Sequence, residues 1–558
     1  MKKYLIIFLN LFIITSLFAE EDVTDWTNYT SKWFFSEIKS AESSNTEFDK
    51  NDYLLINDNN TFEYVITKKN LFAKGTYSWN LAENSLIFNY SLPTDTTREY
   101  IIDYNEDKLI LSENNVNFIF SKNPIITKSK STLINKLFRG LVGLISLILI
   151  AFIFSRDRKN INWSLVAKGL GIQIVFALLI LKIPFIYDFF YFIAQGFAKI
   201  ILFISKGSEF LFGETLVNSP DFGAIFAFQV LPTIIFFSAL TSLFYYWRVL
   251  PKIVYGFAWL MKKTLKLSGP ESVAAAGNIF LGQTESPLLV KPYLDKMTKS
   301  EILCLMSGGM ATIAGGVLAA FIQILGQELA VHLIMASVMS APAAIVAAKI
   351  LLPEKEAFDK TLEIDQKNTV TNELEAISQG TTDGIKLAVN VGAMLLVFMA
   401  LMFMANYILL KFGDWTSLNM WISENEWIQR NGGYKEISIN MILGYIGAPI
   451  VWLMGVCKED MFLVGQLLGE KTVLNEFIAY DSMLKMKNLG LFAEQRSVII
   501  ATYILCGFAN FASIGIQIGG IGSLAPKRIG DLSKLGVLAL IGGTLASLFT
   551  AVIVGMLI

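Results

Sequence analysis

Histidine and cysteine are scarce in this chain of 558 residues: it holds one histidine, His332, and three cysteines, Cys304, Cys457 and Cys506. The cysteines fall at no metal-like spacing, so zinc centres and Ser/His or Cys/His nucleophilic catalysis find no support. His332 is expected on a packed helix face. Charge is scarce too. Asp, Glu, Lys and Arg make up 17% of the chain, below the ~25% usual in soluble domains. The formal net charge of -1 leaves no basic surplus for a nucleic acid partner. Hydrophobic residues instead reach 54%, which reads as a polytopic α-helical membrane protein whose main surroundings are the lipid bilayer.

The two ends of the chain differ in character. Lys2 and Lys3 precede an apolar run from Tyr4 to Phe18, and Ala19 before Glu20 offers a cleavage point, so residues 1–19 read as a signal peptide, with an uncleaved anchor as the alternative. Residues 20–130 carry short alternating runs such as Phe62–Ile66, Gly75–Trp79, Ser85–Phe88 and Lys108–Leu111, separated by Asn, Asp and Gly. That pattern predicts a small antiparallel all-β domain. It is similar to the lipocalin-like domains of bacterial envelope proteins, and a signal peptide would place it in the periplasm.

From residue 134 onward, apolar segments long enough to span a bilayer follow one another. Spans are expected near 134–154, 163–184, 223–247, 302–325, 331–352, 375–411, 495–522 and 533–557, with amphipathic pieces near 186–212 and 250–267. Arg156, Arg158 and Lys159, then Arg248, Lys252, Lys262, Lys263 and Lys266, then Lys527 and Arg528 mark cytoplasmic ends by the positive-inside rule. Both termini are then outside. Residues 131–268 form scaffold helices with an interfacial helix, and 269–558 a core that carries the chemistry.

That core has two regions of one design. Gly277–Pro287 places Gln283, Thr284 and Glu285 between glycines and a proline. An ionised carboxylate at bilayer depth costs ~2.5–3.5 kcal/mol, so Glu285 should face a partner or a wet cavity. Broken helix is tolerated there only where it is buried in protein or lines such a cavity, which predicts a re-entrant hairpin followed by the small-residue helix around Ser307–Val317. Gly469–Tyr480, with Glu476, and the segment Cys506–Gly515 repeat the theme. Two re-entrant hairpins, each paired with an unwound helix, describe an inverted-repeat transporter with its site at the membrane midplane. Stripes of small residues also serve as ordinary helix-packing surfaces; the paired acids favour the site.

Five ordered stretches, 277–294, 311–315, 340–343, 474–480 and 501–511, resemble the concentrative nucleoside transporter family. The resemblance covers residues ~134–558 and leaves the signal and β-domain outside. It implies a homotrimer that takes up nucleosides, uridine-like ones and purine nucleosides among them, by an elevator motion driven by a cation gradient. It further implies that Gln283, Thr284 and Glu285 meet the nucleobase with Val317, that Glu476, Asn510 and Ser513 meet the ribose, and that Phe508 packs at the same pocket. Asn278 and Thr312, with backbone carbonyls at Leu281 and Ile313, match the family's Na+ site. Leu281 stands where many members have valine, a change without consequence if only its carbonyl binds. The chemistry suits these residues, because a carboxylate accepts from vicinal hydroxyls and an amide reads a base edge with both donor and acceptor.

Other classes make opposite demands. A membrane enzyme would use Glu285 and Glu476 as an acid/base pair, yet the chain offers no nucleophile or metal cluster beside them. A receptor would need a cytoplasmic output domain, and the expected cytoplasmic loops are short. Within transport, proton coupling is the alternative to Na+.

Overall fold

The computed structural model describes residues 32–39, 44–45, 52–57, 59–66, 71–80, 85–92, 96–105, 108–113, 116–121, 133–218, 225–356, 370–430 and 433–558. The expected signal peptide lies outside the described residues. Two compact units emerge, an N-terminal one within Met1–Ile126 and a helical one from Thr127 onward.

The N-terminal unit is built from β1 (Lys32–Lys39), β2 (Ser44–Asn45), β3 (Tyr53–Ile56), β4 (Thr61–Ile66), β5 (Leu71–Asn80), β6 (Ser85–Leu92), β7 (Thr96–Asn105), β8 (Lys108–Glu113) and β9 (Val116–Ser121). Each of β3 to β9 pairs antiparallel with its predecessor in the order β1-β3-β4-β5-β6-β7-β8-β9, and β9 returns to β1, with Phe34 opposite Ser121. The ring therefore closes as an eight-stranded barrel, and β2 extends the far end of β1 at Ile38 and Lys39. Alternation sends Phe62, Leu86, Phe88, Leu109 and Leu111 inward, with Trp33 fully buried among them. An eight-stranded barrel is just wide enough for side chains to fill, and here they do: the rings of Phe62 and Phe88 lie 4.2 Å apart, and those of Phe35 and Phe120 4.5 Å.

The helical unit opens with α1 (Leu133–Ile153), α2 (Trp163–Lys182), α3 (Pro184–Phe212), α4 (Glu214–Asn218), α5 (Phe226–Tyr246) and α6 (Val249–Leu265). There follow α7 (Gly269–Gly277), a 3-10 segment Ser286–Tyr293, α8 (Lys299–Ala311), α9 (Gly315–Leu325), α10 (Gln327–Leu351) and α11 (Glu373–Trp415). The last stretch holds α12 (Leu418–Glu424), α13 (Glu426–Arg430), α14 (Ile439–Leu453), α15 (Met461–Val473), α16 (Glu476–Asn488), α17 (Gln495–Leu505), α18 (Phe511–Leu524) and α19 (Ile529–Leu557).

Three differences from the expected spans have physical causes. The stretch near 186–212 was expected as an amphipathic piece, but α3 is one 29-residue helix, long and apolar enough to cross a membrane. Its scattered charges hid this, and two of them, Lys206 and Glu209, pair at 2.6 Å on adjacent turns. The 15-residue α14 was not anticipated, because it is shorter than the ~20 residues a span requires. The stretches 302–325 and 495–522, read as single spans, are each two helices with a break between them, as the glycine content of both suggested.

Among the stretches long and apolar enough to cross a membrane, the best shielded are α8 with α9, α10 and α19, whose apolar windows are 83 to 89% buried against 11 to 33% for α1, α2, α3 and α5. Core and periphery are thus distinct; α8, α9 and α17 belong to the core, while α18 buries one face that carries Ser513, Gln517 and Ile521.

Candidate functional site

Local sequence sets each break. Helix α8 starts at a capping box, in which the Thr298 hydroxyl accepts from Glu301 N at 3.1 Å and Glu301 accepts from Thr298 N at 2.7 Å. Such a cap stabilises a helix start by about 1 kcal/mol. The helix ends where Thr312 turns extended (φ -111°, ψ 169°), and α9 restarts at Gly315, whose N–H donates to Phe280 O at 3.1 Å. The tip after α7 is thereby clasped to the first break. Ser337 on α10 fixes the same tip by donating to Ile279 O at 2.9 Å.

The second break runs from Cys506 to Asn510. Asn510 is the N-cap of α18, its Oδ1 accepting from Ser513 N at 2.9 Å. The same side chain donates through Nδ2 to a Glu476 carboxylate oxygen at 3.0 Å. Ser513 in turn accepts at 3.2 Å from Gln283 Nε2. Gln283, Ser513, Asn510 and Glu476 thus form one buried polar chain that joins the tip after α7 to the start of α16, and the Gln283 Oε1 has no protein partner. A buried carbonyl oxygen left so is a group awaiting a donor.

The remaining expected contacts sit at the margins of this chain. Thr284 is exposed and rests against Gly520 of α18. Glu285 is half-buried, and its carboxylate accepts from Gly282 N at 3.1 Å. Val317 is buried on α9, and Phe508 is half-buried in the second break. Of these four, Phe508 meets the polar chain through its backbone, its carbonyl oxygen accepting from Asn510 N at 2.9 Å. His332 packs as expected, its ring nitrogen 3.0 Å from the Tyr503 hydroxyl.

Two of the residues expected to hold a cation, Asn278 and Thr312, meet at Gly308. Asn278 is fully buried; its Nδ2 lies 3.4 Å from Leu305 O, and its Oδ1 has no partner. A Cβ at Gly308 would stand 2.7 Å from Asn278 Nδ2, so only glycine admits this approach. Thr312 donates its hydroxyl proton to Gly308 O at 2.9 Å, which leaves its lone pairs available. Leu281 and Ile313 are buried beside them in the two non-helical segments. An orphaned amide oxygen beside a hydroxyl oxygen suits a hard cation of low charge.

Three residues at the site escaped the sequence reading. Gln517 on α18 donates to Met306 O at 2.9 Å and keeps a buried, unpartnered Oε1; its spacing of four from Ser513 puts both on one helix face. Lys471 on α15 is fully buried with its ammonium among backbone oxygens. Gly507 has φ +105°, and a Cβ there would lie 2.5 Å from Ala311 O, so the two breaks touch at this point. Gly507→Ala should lower the unfolding temperature by several degrees, because the left-handed backbone costs about 1–2 kcal/mol for alanine before any clash. An unchanged melting curve would mean that the breaks do not meet there.

Comparison with known proteins bears on this geometry. Family models for the N-terminus and the C-terminus of Na+ dependent nucleoside transporters match residues 142–215 and 332–555, and a gate model for nucleoside recognition matches residues 227–328. Solute carrier family 28 member 3 of Mus musculus is 41% identical over 430 residues, covering 74% of this chain and 58% of its own length. An uncharacterized transporter of Haemophilus influenzae is 39% identical, covering 75% of this chain and 97% of its own length. The chain spans about three fifths of the solute carrier relatives it matches, 58% and 60% in the mouse and Eptatretus stoutii proteins. CNTnw, solved in an inward-facing substrate-bound state, superposes with a TM-score of 0.69 at 35% identity, covering 75% of this chain and 97% of that one.

Proposed function

The chain belongs to the concentrative, Na+ dependent nucleoside transporter family, and from that premise we propose that it imports nucleosides across a bacterial inner membrane together with Na+. The observation that carries this reading is the buried polar chain from Gln283 through Ser513 and Asn510 to Glu476. Its acid end matches ribose hydroxyls, and its amide end, with an unpartnered Oε1, matches the donor and acceptor edge of a base. Thr284, Glu285, Val317 and Phe508 complete the pocket around the ligand. Asn278 and Thr312, with the carbonyls of Leu281 and Ile313, take the coupling ion. These are neutral oxygens, so they replace the hydration of Na+ without a change of protonation.

In this reading the elements around α7 and α15 are re-entrant hairpins, and the protein works as a homotrimer in which the core carries ligand and ion across the membrane by an elevator motion. CNTnw, the relative superposed above, has been solved in inward-facing, outward-facing and intermediate states, which supports such a cycle. Residues 1–19 direct export, and 20–130 stand in the periplasm. Neither acid acts as a catalyst.

The test is uptake by proteoliposomes that contain the full chain, with a panel of pyrimidine and purine nucleosides under imposed gradients. Uridine should accumulate above its external concentration when Na+ is high outside. Absence of uptake for every nucleoside, by protein that remains folded in the liposome, overturns the reading.

A further inference from the structure

Lys471 is a charged side chain with no exposed surface, set on α15 in the second half of the core. Its Nζ lies 2.8 Å from Ile504 O, 3.2 Å from Cys506 O and 3.1 Å from the Ser547 hydroxyl. Ile504 O belongs to the last turn of α17 and Cys506 O to the first residue of the break, where helical partners run out. The Ser547 proton is committed elsewhere, since its oxygen lies 2.6 Å from Cys506 O and 3.3 Å from Gly543 O. Lys471 therefore meets three acceptors and no donor. Three N–H groups of an ammonium satisfy all three, whereas a neutral amine would turn its lone pair on one of them. A positive charge at this end also complements the helix dipole of α17.

The first break is laid out in the same way. Thr312 and Cys506, the first non-helical residues of the two breaks, each donate their N–H to the carbonyl four residues back, Gly308 O and Thr502 O, at 3.2 Å. A hairpin helix precedes each break, α7 with Asn278 at its end and α15 with Lys471 near its end. Each reaches a carbonyl of the helix that breaks, Asn278 Nδ2 that of Leu305 at 3.4 Å and Lys471 Nζ that of Ile504 at 2.8 Å, but the first half leaves the Asn278 oxygen orphaned whereas the second half places an ammonium among oxygens.

We infer that Lys471 is a tethered counterpart of the coupling cation: a positioning residue whose ammonium holds the second helix break unwound, so that Asn510 and Phe508 stay presented to the ligand. This rests on the Na+ reading of the first break. The first half of the core is ordered by an ion that comes and goes, and the second by one that is covalently attached. Loss of the tethered charge should open a neutral, oxygen-lined space of the kind a free Na+ accepts.

The experiment measures uridine binding by calorimetry on the purified full chain across a Na+ series, with choline as the replacement ion, alongside thermal unfolding. For the unaltered chain the Hill coefficient for Na+ should be about one. Lys471→Asn should weaken uridine binding at low Na+ by about tenfold or more, as expected on losing a charge-assisted bond. High Na+ should then restore much of the affinity, with the Hill coefficient rising toward about two. Lys471→Met fills the space without charge and should show the same loss with no rescue. Equal losses in both variants without Na+ rescue, or unchanged binding in both, overturn the inference. If Na+ does not affect the unaltered chain but Lys471→Asn acquires a Na+ dependence, the first-break ion fails and the role of Lys471 stands. Should Lys471→Asn not fold, Ser547→Ala decides: weaker uridine binding with an unchanged unfolding temperature supports the role, and unchanged affinity overturns it.

Discussion

Glu476→Ala is expected to weaken uridine binding by about ten- to a hundredfold, since losing a hydrogen bond to a buried charged group costs about 1.5–3 kcal/mol. The loss has two sources. The ligand hydroxyl forfeits a carboxylate acceptor, and the buried Asn510 Nδ2, now 3.0 Å from that carboxylate, loses its acceptor. Asn510 also caps α18 through its other atom, so its position should survive the change. Glu476→Gln separates the charge from the shape. It keeps an oxygen for Asn510 but weakens the acceptor for the sugar, and it should harm uridine more than an analogue that lacks the matching hydroxyl, because a site built for a hydroxyl discriminates through its own unpaired groups. Calorimetry with both ligands makes the comparison. Equal losses for the two would assign Glu476 to the fold and remove it from the ribose contact.

The second large effect concerns linkage between Na+ and nucleoside. If the ion sits at Asn278 and Thr312, each ligand must tighten the other by one common factor. Asn278→Ala deletes the orphaned Oδ1 and should abolish the Na+ effect on uridine affinity, leaving the affinity in Na+-free buffer near that of the unaltered chain. Thr312→Val keeps the volume and loses the hydroxyl oxygen, so a reduced Na+ effect is expected. Binding titrations in NaCl and choline chloride read both. Uptake driven fully by an inward proton gradient in Na+-free buffer, with added Na+ changing neither binding nor rate, would place the coupling elsewhere.

Part of the candidate site could be read from polar residues set in apolar stretches, for a physical reason, whereas the roles of Val317, Phe508, Asn510, Ser513, Asn278 and Thr312 came only through the family resemblance. Acids and amides in a lipid-compatible chain have few places to be, so Gln283, Glu285 and Glu476 announced themselves. The glycines of Ser307–Val317 and Cys506–Gly515 marked both breaks to within a few residues, because apolar spans otherwise avoid such density. Strand alternation in residues 61–113 was equally direct. Lys471 was harder. It lies in the same motif as Glu476, but a lysine near a helix end reads as a group reaching water, and only the three oxygens around Nζ show that it turns inward. Gly507 was hidden for a different reason: its need for φ +105° arises from a contact with Ala311 across nearly two hundred residues of sequence, which no local pattern encodes. Helix α14 escaped because its 15 residues fall below the length that hydropathy alone can recognise.

Helix α11 carries a consequence for the surrounding lipid. Its 43 residues measure about 65 Å at 1.5 Å per residue, roughly twice the ~30 Å hydrocarbon core of a bilayer. No upright placement hides such a rod, so it must lean or project well beyond the headgroups. Along one face, Gly380 and Gly384 bring its backbone so close to α5 that a Cβ at either would stand 2.8 Å from the Cα of Ala239 or Ile235. The two helices are therefore locked along their seam and tilt as one. A change in the tilt of one then carries the other with it.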